Sequence, residues 1–135
     1  MTEYFTTPIS RLIWDSKYRY RDGDTVHDQT VSDTWRRVAH ALAAQEPREQ
    51  AQWETAFLGL LEDFRFLPGG RILAGAGTAR RVTLFNCFVM GRIEDSMEGI
   101  LAALRESALT MQQGGGIGCD FSTLRPSGSQ ARAGG

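Results

Sequence analysis

The sequence predicts a mainly helical chain that ends in a small α/β part. Apolar residues recur at helical spacing through the first 66 residues, and a run rich in β-branched and aromatic residues follows at 82–90. A further helical segment then leads through three consecutive glycines into a second short apolar run. Strand, helix and strand in this order form one βαβ unit, which cannot cover a sheet by itself. We therefore expect a helical region over 1–80 and an α/β part over 81–135.

Two or three amphipathic helices are predicted within the first 66 residues, from three segments of helical pattern. The first, over 8–20, begins at Pro8, a residue that suits the first helical turn. The second follows Ser32, whose hydroxyl can cap it, and stops near Pro47. The third lies within 48–67. The apolar residues that share one side of each helix are Ile9, Leu12, Ile13 and Tyr18, then Trp35, Val38, Leu42 and Ala43, then Trp53, Phe57, Leu60, Leu61 and Phe64. Helices joined by such short links pack on one another.

The segment that follows changes character. Gly, Pro and Ala are frequent in LPGGRILAGAGTARR, at 67–81, and predict a loop. The run VTLFNCFVM, at 82–90, has the composition of a strand that is buried on both faces. A helix is expected next, because Asp95 and Glu98 have the spacing of a capping box. The second strand is expected in IGCDFSTL, at 117–124.

The glycines at 114–116 close a helix instead of opening one. In phosphate-binding loops the glycines follow a strand and open a helix, so that amide groups at the helix start meet the phosphate. No Gly-Lys-Ser/Thr follows here, and no GxGxxG motif is present. The glycines therefore predict a left-handed helix stop and a tight turn into the next strand.

Composition excludes several classes of function. Fifteen basic and sixteen acidic residues leave a net charge of −1, so no global field attracts nucleic acid or anionic lipid. The sequence contains neither an apolar core of signal-peptide length near its start nor a run of about 18 apolar residues. These features predict a cytoplasmic protein that has no membrane span.

The cysteines and histidines predict no metal site. Cys87 and Cys119 have neither CxxC nor Cys/His spacing for zinc, and His27 and His40 are isolated. Cys119 is interpreted as a small packing residue, and a reducing cytosol argues against a disulfide between the two cysteines. We expect both histidines to be exposed or simply packed.

Several segments, in their order and spacing, resemble the large catalytic chain of ribonucleotide reductase. They read FLPGGRILAGAG, TLFNCFVM, EDSMEGI and GGGIGCDFSTLRPSGS. Two earlier segments look like the start of the class II, adenosylcobalamin-dependent branch, and these read SRLIWDSKYR and VSDTWRRVAHALAAQE. The resemblance implies a helical N-terminal region followed by the first strand-helix-strand unit of the family's ten-stranded α/β barrel. Residues 81–135 would then be the incomplete beginning of that catalytic barrel.

The resemblance implies a catalytic role for one cysteine and a substrate site beside it. Cys87 matches half of the redox pair that delivers two electrons to the ribose 2′ position and becomes a disulfide. Taken alone, a strand cysteine is more often a buried apolar thiol. Gly69, Gly70, Arg71 and Asn86 occupy the positions that hold substrate phosphates in the family, where hydroxyl-bearing residues are common. Glycine amides and a guanidinium can hold phosphate, but Arg71 is equally well interpreted as a surface charge.

An allosteric site is implied as well. Asp95 matches an acidic residue that binds the effector nucleotide, although an ordinary helix cap remains open for it. The glycine turn, with Gly115 and Gly116, matches the first specificity loop of the family. Arg125 and Ser127 lie where they could reach an effector phosphate.

The implied activity belongs to a longer protein. In the family the thiyl-radical cysteine and the second redox cysteine lie later in the sequence, and no third cysteine is present here. We therefore expect the chain to be inactive alone, and we expect the adenosylcobalamin of the complete enzyme not to be held by this chain.

The implied partners are those of an oxidoreductase of deoxyribonucleotide biosynthesis. They are a ribonucleotide, a dNTP or ATP effector, the remainder of the reductase and a thioredoxin-type dithiol reductant. A homodimer and the choice between diphosphate and triphosphate substrates stay open. The alternative interpretation is a non-catalytic nucleotide-binding or helical interaction module that derives from the reductase.

Overall fold

The computed structural model describes residues 4–129, and the chain divides into two compact units, 1–84 and 85–135. The described part of the first unit contains four α-helices, α1 at Pro8–Ile13, α2 at Val31–Ala43, α3 at Gln50–Leu61 and α4 at Gly70–Gly75. A π-helical turn at Trp14–Tyr18 continues α1, and a 3-10 turn at Glu62–Phe64 follows α3. The short strands β1 at Arg21–Asp22 and β2 at Thr25–Val26 form an antiparallel hairpin.

The second unit is a strand-helix-strand unit. Strand β3 at Cys87–Val89 is followed by helix α5 at Met97–Gln112 and by strand β4 at Gly116–Gly118, which pairs with β3 in parallel. The predicted fold class, mainly helical with a small α/β part, is confirmed. None of the helices within 4–129 has the length and apolar character needed to span a bilayer.

The core of the first unit lies between α2, α3 and α4. Its buried apolar members are Val31, Trp35, Val38, Ala39, Leu61, Leu73 and Ala76. The predicted inner face of α2 is correct, since Trp35 is 1% exposed and Val38 is fully buried. The prediction for α3 is only partly correct, because Leu61 is buried whereas Trp53 and Leu60 are 42% and 53% exposed.

A buried ion pair fastens α4 to this core. The carboxylate of Asp28 accepts hydrogen bonds from the backbone N–H of Tyr20 at 3.1 Å and from the Thr34 hydroxyl at 2.8 Å, and it pairs with Arg37 at 2.9 Å. The guanidinium of Arg37 also donates to the carbonyl of Leu73 at 3.0 Å and to that of Ala76. These carbonyls lie at the end of α4, where no further helical turn can satisfy them.

Two local predictions for the first unit are wrong. Residues 70–75 form α4, although their Gly and Ala content predicted a loop, because the contacts to Arg37 outweigh the low helix propensity of glycine. The cap of α2 is Thr30, not Ser32. The carboxylate of Asp33 accepts from the Thr30 backbone N–H at 2.7 Å and from the Thr30 hydroxyl at 2.9 Å, so the helix begins one residue before Ser32.

The strands of the second unit are shorter and more exposed than predicted. Strand β3 covers three residues, and Cys87 and Val89 are exposed while Phe88 is half-buried, so burial on both faces is wrong for this unit. Among the described residues β3 has one neighbouring strand, and a parallel strand is covered on both faces only within a larger sheet. Strand β4 begins at Gly116 and ends before Cys119.

Candidate functional site

Cys87 opens the parallel ladder of the second unit. It lies opposite Gly116 in the register, and the carbonyl of Asn86 accepts a hydrogen bond from the Gly116 N–H at 2.8 Å. At the other end of the ladder, the carbonyl of Gly118 accepts from the Met90 N–H at 2.9 Å. The thiol of Cys87 is free and exposed. The ladder thus holds the backbone of an accessible thiol in a defined position.

The glycine turn ends α5 in the predicted manner. Gly114 has φ +84°, and its N–H donates to the Met111 carbonyl at 2.8 Å, while the Gly115 N–H donates to the Thr110 carbonyl at 3.1 Å. This pair of bonds around a left-handed residue is a Schellman motif. Gly115 is buried against the ring of Phe88, where a Cβ would lie 2.6 Å from the ring carbon Cε2. The left-handed helix stop and the tight turn into a strand are confirmed.

Asp95 and Arg125 come together in the second unit. The Arg125 Nε lies 2.9 Å from the Asp95 Oδ2, and the Arg125 Nη2 donates to the Asp95 carbonyl at 3.0 Å. Asp95 is not the cap of α5, because Ser96 occupies that position and its hydroxyl accepts from the Gly99 N–H at 3.0 Å. The interpretation of Asp95 as a capping residue is therefore wrong. Its carboxylate is held by a guanidinium from 30 residues further along the chain.

Three of the residues that were expected to hold substrate phosphates, Gly69, Gly70 and Arg71, lie in the first unit. The carbonyl of Gly69 accepts from the Ile72 N–H at 2.9 Å, and Gly70 is the first residue of α4. A Cβ at Gly70 would lie 3.2 Å from the Tyr18 hydroxyl, on the wall of an aromatic cavity of about 490 Å³. Arg71 is half-buried and forms no ion pair with an acidic side chain among the described residues. Its guanidinium thus has no acidic partner within this part of the chain.

The remaining cysteine and the two histidines already have neighbours. Cys119 is a free, half-buried thiol whose sulfur lies 4.0 Å from the Ser107 hydroxyl. The ring of His27 stacks on Tyr20 at 4.3 Å between centroids. The Nδ1 atom of His40 lies 2.9 Å from the Glu54 carboxylate. Within residues 4–129, no group of three or more His, Cys, Asp and Glu side chains could hold a metal ion.

Two features of these sites were missed by the sequence analysis. The proximity of Gly116 to the thiol of Cys87 follows from the strand register, which the sequence does not state. The Asp95–Arg125 ion pair joins a residue that precedes α5 in the sequence to one that follows it. Opposite charges that flank the segment from α5 to β4 were the available signal for this pair, but many other charged residues share that pattern.

Comparison with known proteins gives the same family for both units. Residues 4–81 match the model of the ribonucleotide reductase all-alpha domain, and residues 85–135 match that of the ribonucleotide reductase barrel domain. The vitamin B12-dependent ribonucleoside-diphosphate reductase of Mycobacterium tuberculosis strain H37Rv is 40% identical over 93 residues, which are 69% of this chain and 13% of the relative.

More distant reductases are similar as well. The ribonucleoside-diphosphate reductase subunit alpha of Chlamydia muridarum is 28% identical over 117 residues, which are 87% of this chain and 11% of the relative. The ribonucleoside-diphosphate reductase large subunit of Vaccinia virus is 40% identical over 70 residues, 52% of this chain and 9% of the relative. The matches to these relatives thus cover between 9% and 13% of their length.

Proposed function

Since this chain belongs to the ribonucleotide reductase family, as its sequence predicted, we propose that it is the N-terminal part of an enzyme that reduces ribonucleoside diphosphates to deoxyribonucleotides. The observation that carries the proposal is the succession of two family matches, all-alpha domain at 4–81 and barrel domain at 85–135, along one chain. We place the domain boundary near residue 81, and the division into the units 1–84 and 85–135 supports that place.

Cys87 is proposed as one of the two thiols that reduce the substrate. Its position in β3 and its exposure support this role. In the overall reaction the ribose loses its 2′ hydroxyl as water and gains a hydrogen, while two thiols are oxidised to a disulfide. The second thiol has to come from outside this chain, because the only other cysteine here is the half-buried Cys119. An external dithiol of the thioredoxin type would then restore the reduced pair by exchange.

Gly69, Gly70, Arg71 and Asn86 are proposed to hold the substrate phosphates. The guanidinium of Arg71, which has no acidic partner among the described residues, supports this role because a phosphate would supply the missing negative charge. The names of the relatives indicate a diphosphate substrate.

Asp95, Gly115, Gly116 and Arg125 are proposed to bind the effector, a dNTP or ATP. The contact between the Asp95 carboxylate and the Arg125 guanidinium supports a common site, since one group accepts hydrogen bonds from ribose hydroxyls and the other binds phosphate. We expect the effector to exchange these contacts: its phosphate replaces the carboxylate on Arg125, and its ribose replaces the guanidinium on Asp95.

The cofactor is proposed to be adenosylcobalamin, held elsewhere in the complete enzyme. The relative from M. tuberculosis is named as vitamin B12-dependent, which supports this cofactor. We expect the site for this cofactor to lie in the remainder of the enzyme. The cytoplasm is the expected location, and no nucleic acid partner is expected at a net charge of −1.

A homodimer through α5 is proposed for the complete enzyme. Four large apolar side chains of this helix are at least half exposed, and they are Met97 at 71%, Leu101 at 55%, Leu104 at 62% and Met111 at 52%. Such a surface on a single helix favours association with a second apolar surface. Sedimentation of the complete enzyme with Leu101→Gln and Leu104→Gln should show a weaker dimer, and an unchanged dimer would contradict this assignment.

The catalytic proposal can be tested in a chimera. Residues 1–135 replace the matching segment of the M. tuberculosis reductase, and reduction of a ribonucleoside diphosphate is measured with adenosylcobalamin and a dithiol. We expect turnover by the chimera, loss of turnover to background in Cys87→Ser, and retention of turnover in Cys119→Ser. Equal activity of the two serine variants would overturn the role of Cys87.

The isolated chain provides a second test. We expect no turnover by the isolated chain under the same conditions, and no dNTP binding by calorimetry until the remainder of the enzyme is added. Binding by the isolated chain that is lost in Asp95→Ala would instead favour the non-catalytic nucleotide-binding module.

A further inference from the structure

We propose that Gly116 is a positioning residue for Cys87: the absence of a side chain on β4 lets the thiol lie beside the β4 backbone, open to a reaction partner. The inference deepens the proposed function and rests on it for the redox role of Cys87. The geometric part depends only on the parallel ladder of the second unit.

The register places residue 116 directly beside the thiol. Cys87 and Gly116 are partners in the parallel pair, so a side chain at 116 would project from the same face of the sheet as Cys87. A Cβ built on Gly116 would lie 3.3 Å from the Cys87 sulfur and 3.5 Å from the carbonyl oxygen of Asn86. The sulfur is the nearest atom, so it is the group that a methyl at this position would displace.

The backbone at this position does not itself require glycine. The glycines with positive φ among the described residues are Gly23, Gly77, Gly114 and Gly128. Gly116 is not one of them, so an L-residue could adopt its backbone angles without left-handed strain. What glycine provides at position 116 is space, and the group that occupies the space is the thiol.

Gly118 is a matched control on the same strand. It pairs with Val89 two residues further along, its φ is not positive, and no atom lies within 4 Å of a Cβ built on it. Replacement of either glycine by alanine adds the same methyl group to β4. Only the methyl at 116 meets the sulfur of Cys87.

The expected chemical consequence of a methyl group at position 116 is a lower reaction rate of the Cys87 thiol. A thiolate attacks along the axis of the bond that it breaks, so the sulfur must present a free lone pair to its partner. A methyl that is too close moves the sulfur away from its staggered position or turns it to another rotamer. Both changes reduce the fraction of time in which the thiolate can attack a partner from the open side.

The experiment measures alkylation of Cys87 by iodoacetamide, in which the thiolate forms a C–S bond and iodide leaves. A Cys119→Ser background leaves one thiol, and the rate is measured from pH 6 to 9 for the parent, Gly116→Ala and Gly118→Ala. We expect about 3-fold to 10-fold slower alkylation in Gly116→Ala, the range that corresponds to an off-rotamer side chain, with a rate in Gly118→Ala that is close to that of the parent. Equal rates in the two alanine variants across the pH range would overturn the proposal.

A double-variant comparison covers the case in which Gly116→Ala loosens the strand. Hydrogen exchange of the Gly116 and Met90 amides reports the ladder, and the same substitution is made in Cys87→Ala, which has no sulfur to displace. We expect Gly116→Ala to reduce protection of these amides only when Cys87 is present. Equal loss in both backgrounds would show that the sulfur is not the group displaced and would overturn the proposal. A chimera that stays active in Cys87→Ser would overturn the redox role instead, without changing the alkylation ratio.

Discussion

The two units of the chain bury their apolar residues to very different extents. In the first unit seven apolar residues form one buried cluster, and a buried ion pair lies beside it. Among the described residues of the second unit, Ile93, Ser107 and Gly115 are buried, while α5 leaves large apolar side chains exposed. Burial of apolar surface is the main favourable contribution to folding. The first unit therefore has its own source of stability, whereas the second depends on backbone hydrogen bonds and close glycine contacts.

The chain contains separate probes for the two units. All three tryptophans, Trp14, Trp35 and Trp53, belong to the first unit, and both cysteines, Cys87 and Cys119, belong to the second. Tryptophan fluorescence therefore reports unfolding of the first unit. Labelling of the half-buried Cys119 thiol, in a Cys87→Ser background, reports opening of the second. We expect Cys119 to become fully reactive at a lower urea concentration than that at which the fluorescence changes.

The largest effect is expected from removal of the buried guanidinium. Arg37→Met leaves the carboxylate of Asp28, 3% exposed, without its positive partner, and we expect the free energy of unfolding of the first unit to fall by about 3–5 kcal/mol. Urea unfolding followed by tryptophan fluorescence measures it. Arg36→Met is the control, because the Arg36 side chain is 64% exposed and its ion pair with Asp33 is worth at most about 1 kcal/mol. Similar losses in both variants would mean that Asp28 and Arg37 are not a buried pair.

A smaller loss, confined to the second unit, is expected from Gly99→Ala. A Cβ at Gly99 would lie 2.6 Å from the Glu94 Cβ and 2.8 Å from the Glu94 carbonyl oxygen. We expect destabilisation by about 1–3 kcal/mol, since overpacking outweighs the gain in helix propensity from alanine. Labelling of Cys119 should speed up while the fluorescence transition stays in place. Gly91→Ala is the control, because no atom lies within 4 Å of a Cβ there. A shift of the fluorescence transition would contradict the independence of the two units.

Acid should weaken the first unit through the cap of α2. Burial raises the pKa of Asp33, but hydrogen bonds from the backbone and hydroxyl of Thr30 and the charge of Arg36 lower it more, so the pKa lies below the ordinary value of 3.8. A carboxyl whose pKa is depressed by folding stabilises the fold above its unfolded pKa, and that contribution is lost as the pH falls through the folded pKa. We expect Asp33→Asn to cost about 1 kcal/mol at pH 7 and less at pH 3.

Urea midpoints at pH 7 and pH 3 measure this difference by tryptophan fluorescence. Asp24→Asn is the control, because it removes a carboxylate in the exposed turn of the β1–β2 hairpin that caps no helix. We expect its pH dependence to match that of the parent. An equal pH dependence in Asp33→Asn and the parent would mean that the cap does not contribute.

The smallest effect is expected from the exposed ion pair of the second unit. The Arg125 and Asp95 side chains are 33% and 37% exposed, so solvent screens their attraction, and Arg125→Gln should cost less than about 1 kcal/mol. The loss should shrink further in 1 M salt. Hydrogen exchange of the α5 amides measures it, with Arg105→Gln on the exposed side of α5 as the control. A loss as large as that of Arg37→Met would remove the distinction between the two ion pairs.

Local patterns predicted most of the elements but not their ends. The apolar spacing of α2 and the glycine stop of α5 are features of consecutive residues, so they can be recognised without tertiary contacts. The helix α4 was predicted as a loop, because its stability comes from Arg37, which lies more than thirty residues earlier. The caps at Thr30 and Ser96 lie within two residues of the predicted ones, since several neighbouring side chains have oxygen atoms that could cap.

The individual residues of the candidate site could be predicted from the sequence, but the contacts between them could not. Cys87 and Asp95 were identified from the resemblance to a family, which assigns roles to positions. Their neighbours Gly116 and Arg125 become neighbours only through strand register and chain folding. The exposure of the Cys87 thiol was not predicted either, because a run of apolar strand residues indicates burial whether or not the strand has neighbours on both sides.

The sequence by itself determined the family, the order of the elements α1, α2, α3, β3, α5 and β4, and the place where α5 must stop, because these depend on residues that are close in the chain or on a pattern along it. The tertiary structure alone decided which glycine lies beside the thiol, which arginine neutralises each buried or exposed aspartate, and which apolar side chains are covered. These are contacts between distant segments, and their energies depend on a register and a burial that no local pattern of residues contains.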